Sequence, residues 1–299
     1  KACASECPSN VDVAALKAEF LYQYQKENGV SFRTRLFADN VKYNKLGALM
    51  PSITNKVLNT HLAKRMMGVA VERSIPKLGN ITTRKWYKKH KEQFIQKPSH
   101  LGRVYLFIDE FTNFYDHLIG KDCIEVLSKL GYEVVVTDHQ ESGRSFISKG
   151  LLDEARELAN SNTEFFKDKI NKNQPLVGIE PSALLTFRDE YLRLSDDKEA
   201  AREIAAHTFT IEEFISKEIE KGHIREDQFT SKDKTIKVHG HCQQKSLSNM
   251  KATFNMLSLP KNYQVSIMNT GCCGMAGSFG YEKEHYALSM QVGEDTLFP

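Results

Sequence analysis

The first stretch of the chain carries apolar positions at the spacing of an α-helix. It follows two candidate capping residues, Asn10 and Asp12, and ends before Gly29. Its apolar positions recur every three or four residues: Val13, Leu16, Phe20 and Tyr24. Two further helical stretches follow, separated by Pro51, and Ser52 is placed to cap the second. The chain is therefore predicted to begin with a helical region.

From residue 103 onward, short apolar runs rich in Val, Ile and Tyr alternate with helical stretches. The expected strands are residues 103–109, 132–138, 175–180, 234–240 and 262–269. Alternation of strand and helix at these lengths favours parallel βαβ units. The predicted fold class is α/β, with a helical N-terminal segment followed by parallel strands.

The strand and helix pattern occurs twice, so the α/β part is predicted to consist of two pseudo-repeated halves. The second copy stops early, which leads us to expect a chain that is cut short at its C-terminus. The expected units are residues 1–100, helical; 101–198, first half; 199–233, helical insert; and 234–299, second half.

Cysteines follow two neighbouring strands of the second half. Cys242 comes after the first strand, and the adjacent pair Cys272–Cys273 lies in a Gly-Cys-Cys-Gly turn after the second. Ligands of open α/β sheets usually lie at the carboxyl ends of the strands. Grouped thiolates are suited to iron–sulfur clusters or zinc. The first half has Glu141-Ser142-Gly143 at the matching turn, and only Asp109 and Glu110 after its first strand.

Three cysteines leave the fourth ligand of such a centre open. His239 and His241 flank Cys242, and either is a candidate metal ligand, a hydrogen-bond donor to a ligand, or a strand-end histidine satisfied by the backbone. Glu141 or a residue beyond Pro299 are the other candidates. Thiol–disulfide chemistry between Cys242 and the Cys272–Cys273 pair is the alternative to metal binding.

A separate signal lies at the N-terminus. The sequence "CASECP" matches the last part of the C-x₂-C-x₂-C-x₃-C-P run of bacterial ferredoxins, with Cys3 and Cys7 as its last two cysteines. Residues 1–100 are therefore expected to include the end of a ferredoxin-like segment.

Composition narrows the function classes. Six cysteines in 299 residues are too few for a disulfide scaffold, and a formal net charge of +3 gives no case for nucleic acid. No apolar run is long enough to cross a bilayer, so a cytoplasmic location is expected. Cys123 is expected to be a plain core residue. The basic stretch 84–97 is expected to be a solvated helix face with Trp86 and Phe94 turned inward, or else a docking patch.

Taken together, "CASECPSNVDVAALKAEF", "SGRSFISKGLLDEA", "GIEPSALLTFRDEY", "HGHCQQKSL" and "GCCGMAGSFGYEKEHY" resemble the iron–sulfur part of FAD-linked 2-hydroxyacid dehydrogenases of the glycolate oxidase and D-lactate dehydrogenase type. The same cysteine-rich CCG domain occurs in anaerobic glycerol-3-phosphate dehydrogenase and in heterodisulfide reductase. The resemblance covers nearly the whole chain. It implies an electron-transfer module that passes electrons from FAD to an acceptor such as quinone.

The resemblance also implies cofactors and partners. Cys3 and Cys7 match ligands of paired [4Fe-4S] clusters, and Cys242, Cys272 and Cys273 match ligands of the CCG-type cluster. The expected partners are a flavin-binding domain or subunit and an acceptor at the inner face of the membrane.

The chain departs from the family where Glu141-Ser142-Gly143 replaces the first cysteine pair and Ala183 replaces a cysteine. No flavin domain is seen, so a piece of a longer protein is expected, which by itself does not oxidise a hydroxy acid. The alternative is a zinc-binding or thiol-redox module with a structural or interaction role.

Overall fold

A computed structural model of the chain describes residues 7–9, 11–95 and 101–298. Cys3 and Asn10 lie outside these residues. Within the described part, seven helices precede the first strand: α1 (Val13–Asn28), α2 (Phe32–Ala38), α3 (Asn40–Gly47), α4 (Pro51–Leu58), α5 (His61–Met67), α6 (Thr83–His90) and α7 (Glu92–Ile95). The predicted helical N-terminal region is therefore confirmed.

The next part of the chain alternates strand and helix. Its elements are β1 (Gly102–Phe107), α8 (Glu110–Phe114), α9 (His117–Lys129), β2 (Tyr132–Val136), α10 (Arg144–Ser148), α11 (Leu152–Phe166), β3 (Leu176–Gly178), α12 (Pro181–Leu184), α13 (Glu190–Leu194), α14 (Lys198–Ala206), β4 (Thr208–Thr210) and α15 (Ile211–Glu220). The four strands form one parallel sheet in the order β2-β1-β3-β4. Consecutive strands lie on opposite sides of β1, which is the doubly wound arrangement.

The second sheet has two parallel strands. Its elements are β5 (Lys234–Val238), α16 (Cys242–Leu247), α17 (Met250–Leu257), β6 (Tyr263–Ile267) and α18 (Tyr286–Thr296). Two short 3₁₀ turns, Phe279–Tyr281 and Lys283–His285, precede α18. Parallel strands in both halves confirm the predicted α/β fold class, and the domain boundaries given above remain predictions.

The hydrophobic core lies on both faces of the four-stranded sheet. Val104 and Leu106 of β1 pack with side chains of α9 and α15, whereas Tyr105 and Phe107 pack with side chains of α11 and α13. Successive side chains of a strand point to opposite faces, so a strand buried on both faces reads as one unbroken apolar run. This is why the run at residues 103–109 predicted β1 correctly.

Several long predicted helices are divided in the structure. Thr60 begins α5 inside a stretch predicted to be one helix, and its side chain accepts a hydrogen bond from Ala63 N. The predicted cap at Ser52 is wrong, because α4 begins at Pro51 and Met50 is its N-cap. The insert predicted as helical also contains β4, which pairs with β3. Thr60 is typical of a helix start, because the hydroxyls of Ser and Thr accept hydrogen bonds from free backbone N–H groups.

The apolar positions of α1 are exposed rather than buried. Among its residues only Ala18 is buried, whereas the stripe predicted from the sequence faces outward. Elsewhere the predicted burial is confirmed, since Phe94 is buried and both Trp86 and Cys123 pack against the core. No helix within the described residues is both long and apolar enough to cross a membrane.

We expect Phe107→Ala to lower the free energy of unfolding by about 3–5 kcal/mol, because its ring is fully buried and leaves a cavity. Urea denaturation followed by circular dichroism measures the change. The matched control is Phe32→Ala, whose ring is 72% exposed and whose loss is expected to change stability little. Equal losses in the two variants would contradict the assignment of the core.

Candidate functional site

The second sheet ends in two adjacent loops that carry the candidate ligands. β5 and β6 pair with Val238 beside Ile267, and Met268 N donates a hydrogen bond of 2.9 Å to the Val238 carbonyl. Parallel strands that end in register release their loops side by side. The loop that leads to Cys242 and the loop that leads to Cys272 therefore leave the sheet at the same edge.

Thr270 connects these two loops. His239 Nδ1 lies 2.6 Å from Thr270 Oγ1, and Lys245 Nζ donates a hydrogen bond of 2.6 Å to the Thr270 carbonyl. One residue thus receives contacts from both ends of the segment around Cys242. The loop that contains Thr270 has no sheet hydrogen bonds of its own. These contacts therefore fix its distance from the segment around Cys242.

Glycines allow the cysteine loop to lie directly against α18. Gly274 has a φ of 79°, and a Cβ atom there would stand 2.0 Å from the Ser289 carbonyl oxygen. A Cβ at Gly271 would stand 2.9 Å from Thr296 Oγ1. The Gly274 N–H also donates to Cys272 Sγ at 3.3 Å. The loop therefore needs glycine both for its left-handed turn and for its close approach to the helix.

The thiols of the cysteine loop affect the ionisation of Cys242. Burial raises the pKa of the Cys242 thiol, and the neighbouring Cys272 and Cys273 raise it further through charge repulsion. Cys242 and Cys273 are partly buried, whereas Cys272 is exposed. A positive ion placed between such thiols relieves this repulsion and favours the thiolate forms.

The two histidines lie in different surroundings. His239 is directed to Thr270, and burial followed by the charge of Lys245 lowers its pKa. His241 is the N-cap of α16, where its Nδ1 accepts from Gln243 N at 3.2 Å. Its Nε2 lies 3.8 Å from Glu180 Oε1, at the carboxyl end of β3. His241 therefore connects the two halves, and both histidines remain predictions as ligands.

Within the described residues, no group of three or more His, Cys, Asp or Glu side chains is arranged to hold a metal ion. Cys242, Cys272 and Cys273 still supply a donor set of soft sulfur atoms with a backbone N–H directed at one of them. That chemistry fits an iron–sulfur cluster or zinc. Cys7 is partly buried, and Cys3 lies outside the described residues.

The first half has a hydrogen-bonded carboxylate where the second half has thiols. Gly143 keeps the left-handed turn with a φ of 74°, and Ser142 stands before it. Ser142 N and Oγ donate to the two carboxylate oxygens of Glu110 at 2.9 and 2.6 Å. Glu110 follows β1 and Ser142 follows β2, so this pair joins the ends of adjacent strands without a metal.

Acidic side chains collect around this pair at the carboxyl edge of the sheet. Burial, then the charges of Glu180 and Glu110, raise the pKa of Asp109 to about 8. Burial, then the charge of Glu110, raise the pKa of Glu141 to about 8. Asp109 also caps α8 by accepting from Phe111 N. Buried carboxyls of this kind are stable when protonated.

The sequence did not reveal two basic residues of this edge. Arg84 of α6 donates to the backbone carbonyls of Ile108 and His139, each at 2.8 Å. Arg144 forms a two-pronged ion pair with Glu190 at 2.8 Å. In the sequence, the position of Arg144 directly after the Gly143 turn was the only sign that it belongs to this edge. Arg84 lies in the basic stretch 84–97 that was expected to be solvated or a docking patch, and nothing in that stretch marked Arg84 as a residue of this edge.

Comparisons with known proteins support the resemblance. D-2-hydroxyglutarate dehydrogenase of Pantoea ananatis is 25% identical over 305 residues, which cover 98% of this chain and 29% of that protein. The Escherichia coli K12 enzyme of the same name is 24% identical over 98% of the chain and 29% of its own length. One subunit of the anaerobic glycerol-3-phosphate dehydrogenase of E. coli K12 is 25% identical over 81% of the chain and 61% of its own length.

No protein-family model matches the chain, and no solved structure matches it. The chain spans 29% of the length of the hydroxyglutarate dehydrogenases. The similarity over almost all of the chain confirms the predicted resemblance to the CCG-type module of such dehydrogenases. All three relatives are, by name, dehydrogenases or a subunit of one, so the resemblance lies among oxidoreductases.

We expect Gly274→Ala to destabilise the protein more than Gly277→Ala. Both residues have positive φ, which costs about 1–2 kcal/mol for an alanine. Only Gly274 adds a clash, since a Cβ at Gly277 meets nothing within 4 Å. Urea denaturation of both variants measures the difference. Equal destabilisation would show that the loop is not held against α18.

We expect the free energy of unfolding to fall as pH rises from about 4.5 to about 8, in part through Glu141. Its pKa is raised in the folded state, so folded protein holds a proton that the unfolded chain has released across this window. Glu141→Gln is expected to flatten the fall, and the matched control is Glu157→Gln on the exposed side of α11. Urea denaturation at four pH values measures the slope; an unchanged slope in Glu141→Gln would contradict it.

Proposed function

We propose that this chain is the iron–sulfur electron-transfer module of a flavin-linked 2-hydroxyacid dehydrogenase. The observation that carries the proposal is that β5 and β6 end in register, so the loops that carry Cys242 and the Cys272–Cys273 pair leave the sheet at one edge. The first half has the same left-handed turn at Gly143 without cysteines. A fold that keeps the turn without thiols does not need them for packing, so they are explained best as ligands.

The residues of the loop have distinct tasks under this proposal. A cluster held by the three thiolates supplies one-electron transfer when it is bound. The Gly274 N–H bonds to Cys272 Sγ, and hydrogen bonds to sulfur help to set the reduction potential. His239 and Lys245 hold the loop through Thr270. Cys272 is exposed, so the centre faces the side from which a partner would approach.

The partners follow from the relatives and the resemblance. We assign oxidation of the hydroxy acid to a FAD-binding domain or subunit, and not to this chain. Two relatives carry the name D-2-hydroxyglutarate dehydrogenase, which supports a 2-hydroxy acid as the substrate of the whole assembly. Another is named as one subunit of a dehydrogenase, which supports a separate flavoprotein partner. Cys3 and Cys7 would hold part of the ferredoxin-like [4Fe-4S] site, and a quinone at the inner face of the cytoplasmic membrane would accept the electrons.

We expect Cys272→Ser and Cys273→Ser each to remove iron and inorganic sulfide from the anaerobically purified protein, because each variant deletes one thiolate of the centre. Element analysis and electron paramagnetic resonance measure the loss. Circular dichroism is expected to remain unchanged, since Cys272 is exposed and its turn is set by glycines.

The matched control is Cys123→Ser, which removes a thiol that packs against the core of the first half. Its metal content is expected to equal that of the unaltered protein. Unchanged iron in the Cys272→Ser and Cys273→Ser variants would refute the proposal. Zinc without iron or sulfide in the unaltered protein would assign the site to the structural or thiol-redox alternative.

A further inference from the structure

Most exposed large apolar side chains of the described residues lie between residues 11 and 66. They belong to helices that precede the first sheet, and they do not contribute to the core. Large exposed apolar patches often mark the surfaces at which a protein binds another protein or a membrane. We therefore expect a partner to cover some of these exposed apolar side chains.

Helix α4 presents a polar face to the protein and an apolar face to solvent. Asn55 and Asn59 bind the backbone of the segment 75–78 through both their amide oxygens and nitrogens. Ile53 and Val57 point the other way and are 54% and 53% exposed. Residues four apart share one helix face, so the apolar pair lies opposite the asparagine pair. The asparagines fix the outward direction of the apolar side chains.

Helix α5 repeats this arrangement. Lys64 is buried, and its Nζ donates to the Val71 carbonyl at 3.0 Å. Leu62 and Met66 lie on the other side and are 71% and 75% exposed. The two consecutive helices thus turn apolar pairs with the same spacing to solvent while a polar side chain fastens each helix to the protein.

Basic charge accompanies the apolar pairs. Exposed Lys56 lies beside the pair on α4, and exposed Arg65 lies beside the pair on α5. Residues 40–71 contain five Lys or Arg and no Asp or Glu. We call the combined feature the basic apolar surface, and it comprises Leu46, Leu49, Met50, Ile53, Lys56, Val57, Leu62, Arg65 and Met66.

We infer that the basic apolar surface binds a bilayer of anionic phospholipid. Apolar side chains flanked by Lys and Arg are typical of helices that lie in the plane of a membrane, with the apolar face among acyl chains and the cations at the headgroups. Residues 40–71 contain no carboxylate, and Asp39 and Glu72 border them on either side. The inference adds a lipid-binding surface to the membrane location in the proposed function, and it rests on that function only for its biological setting.

A lipid surface fits these residues better than a protein surface. Protein interfaces are enriched in aromatic residues and depleted in lysine. The apolar members of the basic apolar surface are Leu, Ile, Val and Met; Tyr43 of α3, 41% exposed, is an aromatic residue next to them in sequence, and exposed Lys42 and Lys45 add to the charge. Helix α1 shows the contrast, because its exposed stripe includes Phe20 and Tyr24 and residues 11–29 carry two Lys and three Asp or Glu.

Flotation of the 299-residue chain with vesicles tests the inference. Binding is expected to vesicles of phosphatidylcholine with 30 mol% (about one third) phosphatidylglycerol, and to weaken at high salt and on pure phosphatidylcholine. Lys56→Ala with Arg65→Ala is expected to weaken binding about 25-fold, at roughly fivefold for each cation. Ile53→Asp with Leu62→Asp is expected to abolish it. The matched control is Leu16→Asp with Phe20→Asp on α1, which is expected to bind like the unaltered chain.

Two results would overturn the inference. One is a folded chain that does not bind the anionic vesicles. This includes the case in which the chain binds a flavoprotein partner instead and the Ile53→Asp, Leu62→Asp variant no longer binds that partner. The other is binding that the two altered pairs leave unchanged. Vesicle binding needs no electron transfer, so a chain that binds vesicles but lacks iron would refute only the proposed function.

Discussion

The arrangement of the candidate centre depends on the parallel pairing of β5 with β6. This pairing brings two segments that are 29 residues apart in sequence to one edge, with Val238 level with Ile267. Thr270 then holds the two loops together, and α18 supports the cysteine loop from the side. A shift of this register by one residue would turn the loops away from each other. The loops that carry the thiols leave the sheet side by side because of this backbone geometry.

The first half shows how the same architecture behaves without thiols. A carboxylate of Glu110 receives two hydrogen bonds from Ser142, and this interaction joins the strand ends that a metal would otherwise join. Buried carboxyl groups accumulate there, and Asp109 and Glu141 are favoured in their neutral, protonated forms. His241 reaches this edge through Glu180. The two halves therefore share an interface at their carboxyl edges.

Much of the fold was predictable because buried parallel strands are short unbroken apolar runs. Strand β4 was missed because Thr208–Thr210 has a single apolar residue, whereas the equally short β3 lies in the apolar run 175–180. Divided helices were missed because Thr60 caps a helix inside a continuous periodic stretch. The cysteines were predictable as a group from the repeated turn. The separate surroundings of His239 and His241 were not, since they depend on Thr270 and Glu180, which only the folded chain brings near. Periodicity identified the stripe of α1 but does not say whether protein covers it.

We propose that Cys242, Cys272 and Cys273 hold one metal centre. X-ray absorption at the iron edge of the anaerobically purified protein, joined to its flavoprotein partner, tests this most directly. We expect sulfur neighbours together with an iron–iron distance, and the loss of part of the signal in Cys242→Ser. An iron edge that shows only oxygen and nitrogen neighbours, or a spectrum that Cys242→Ser leaves unchanged, would contradict it.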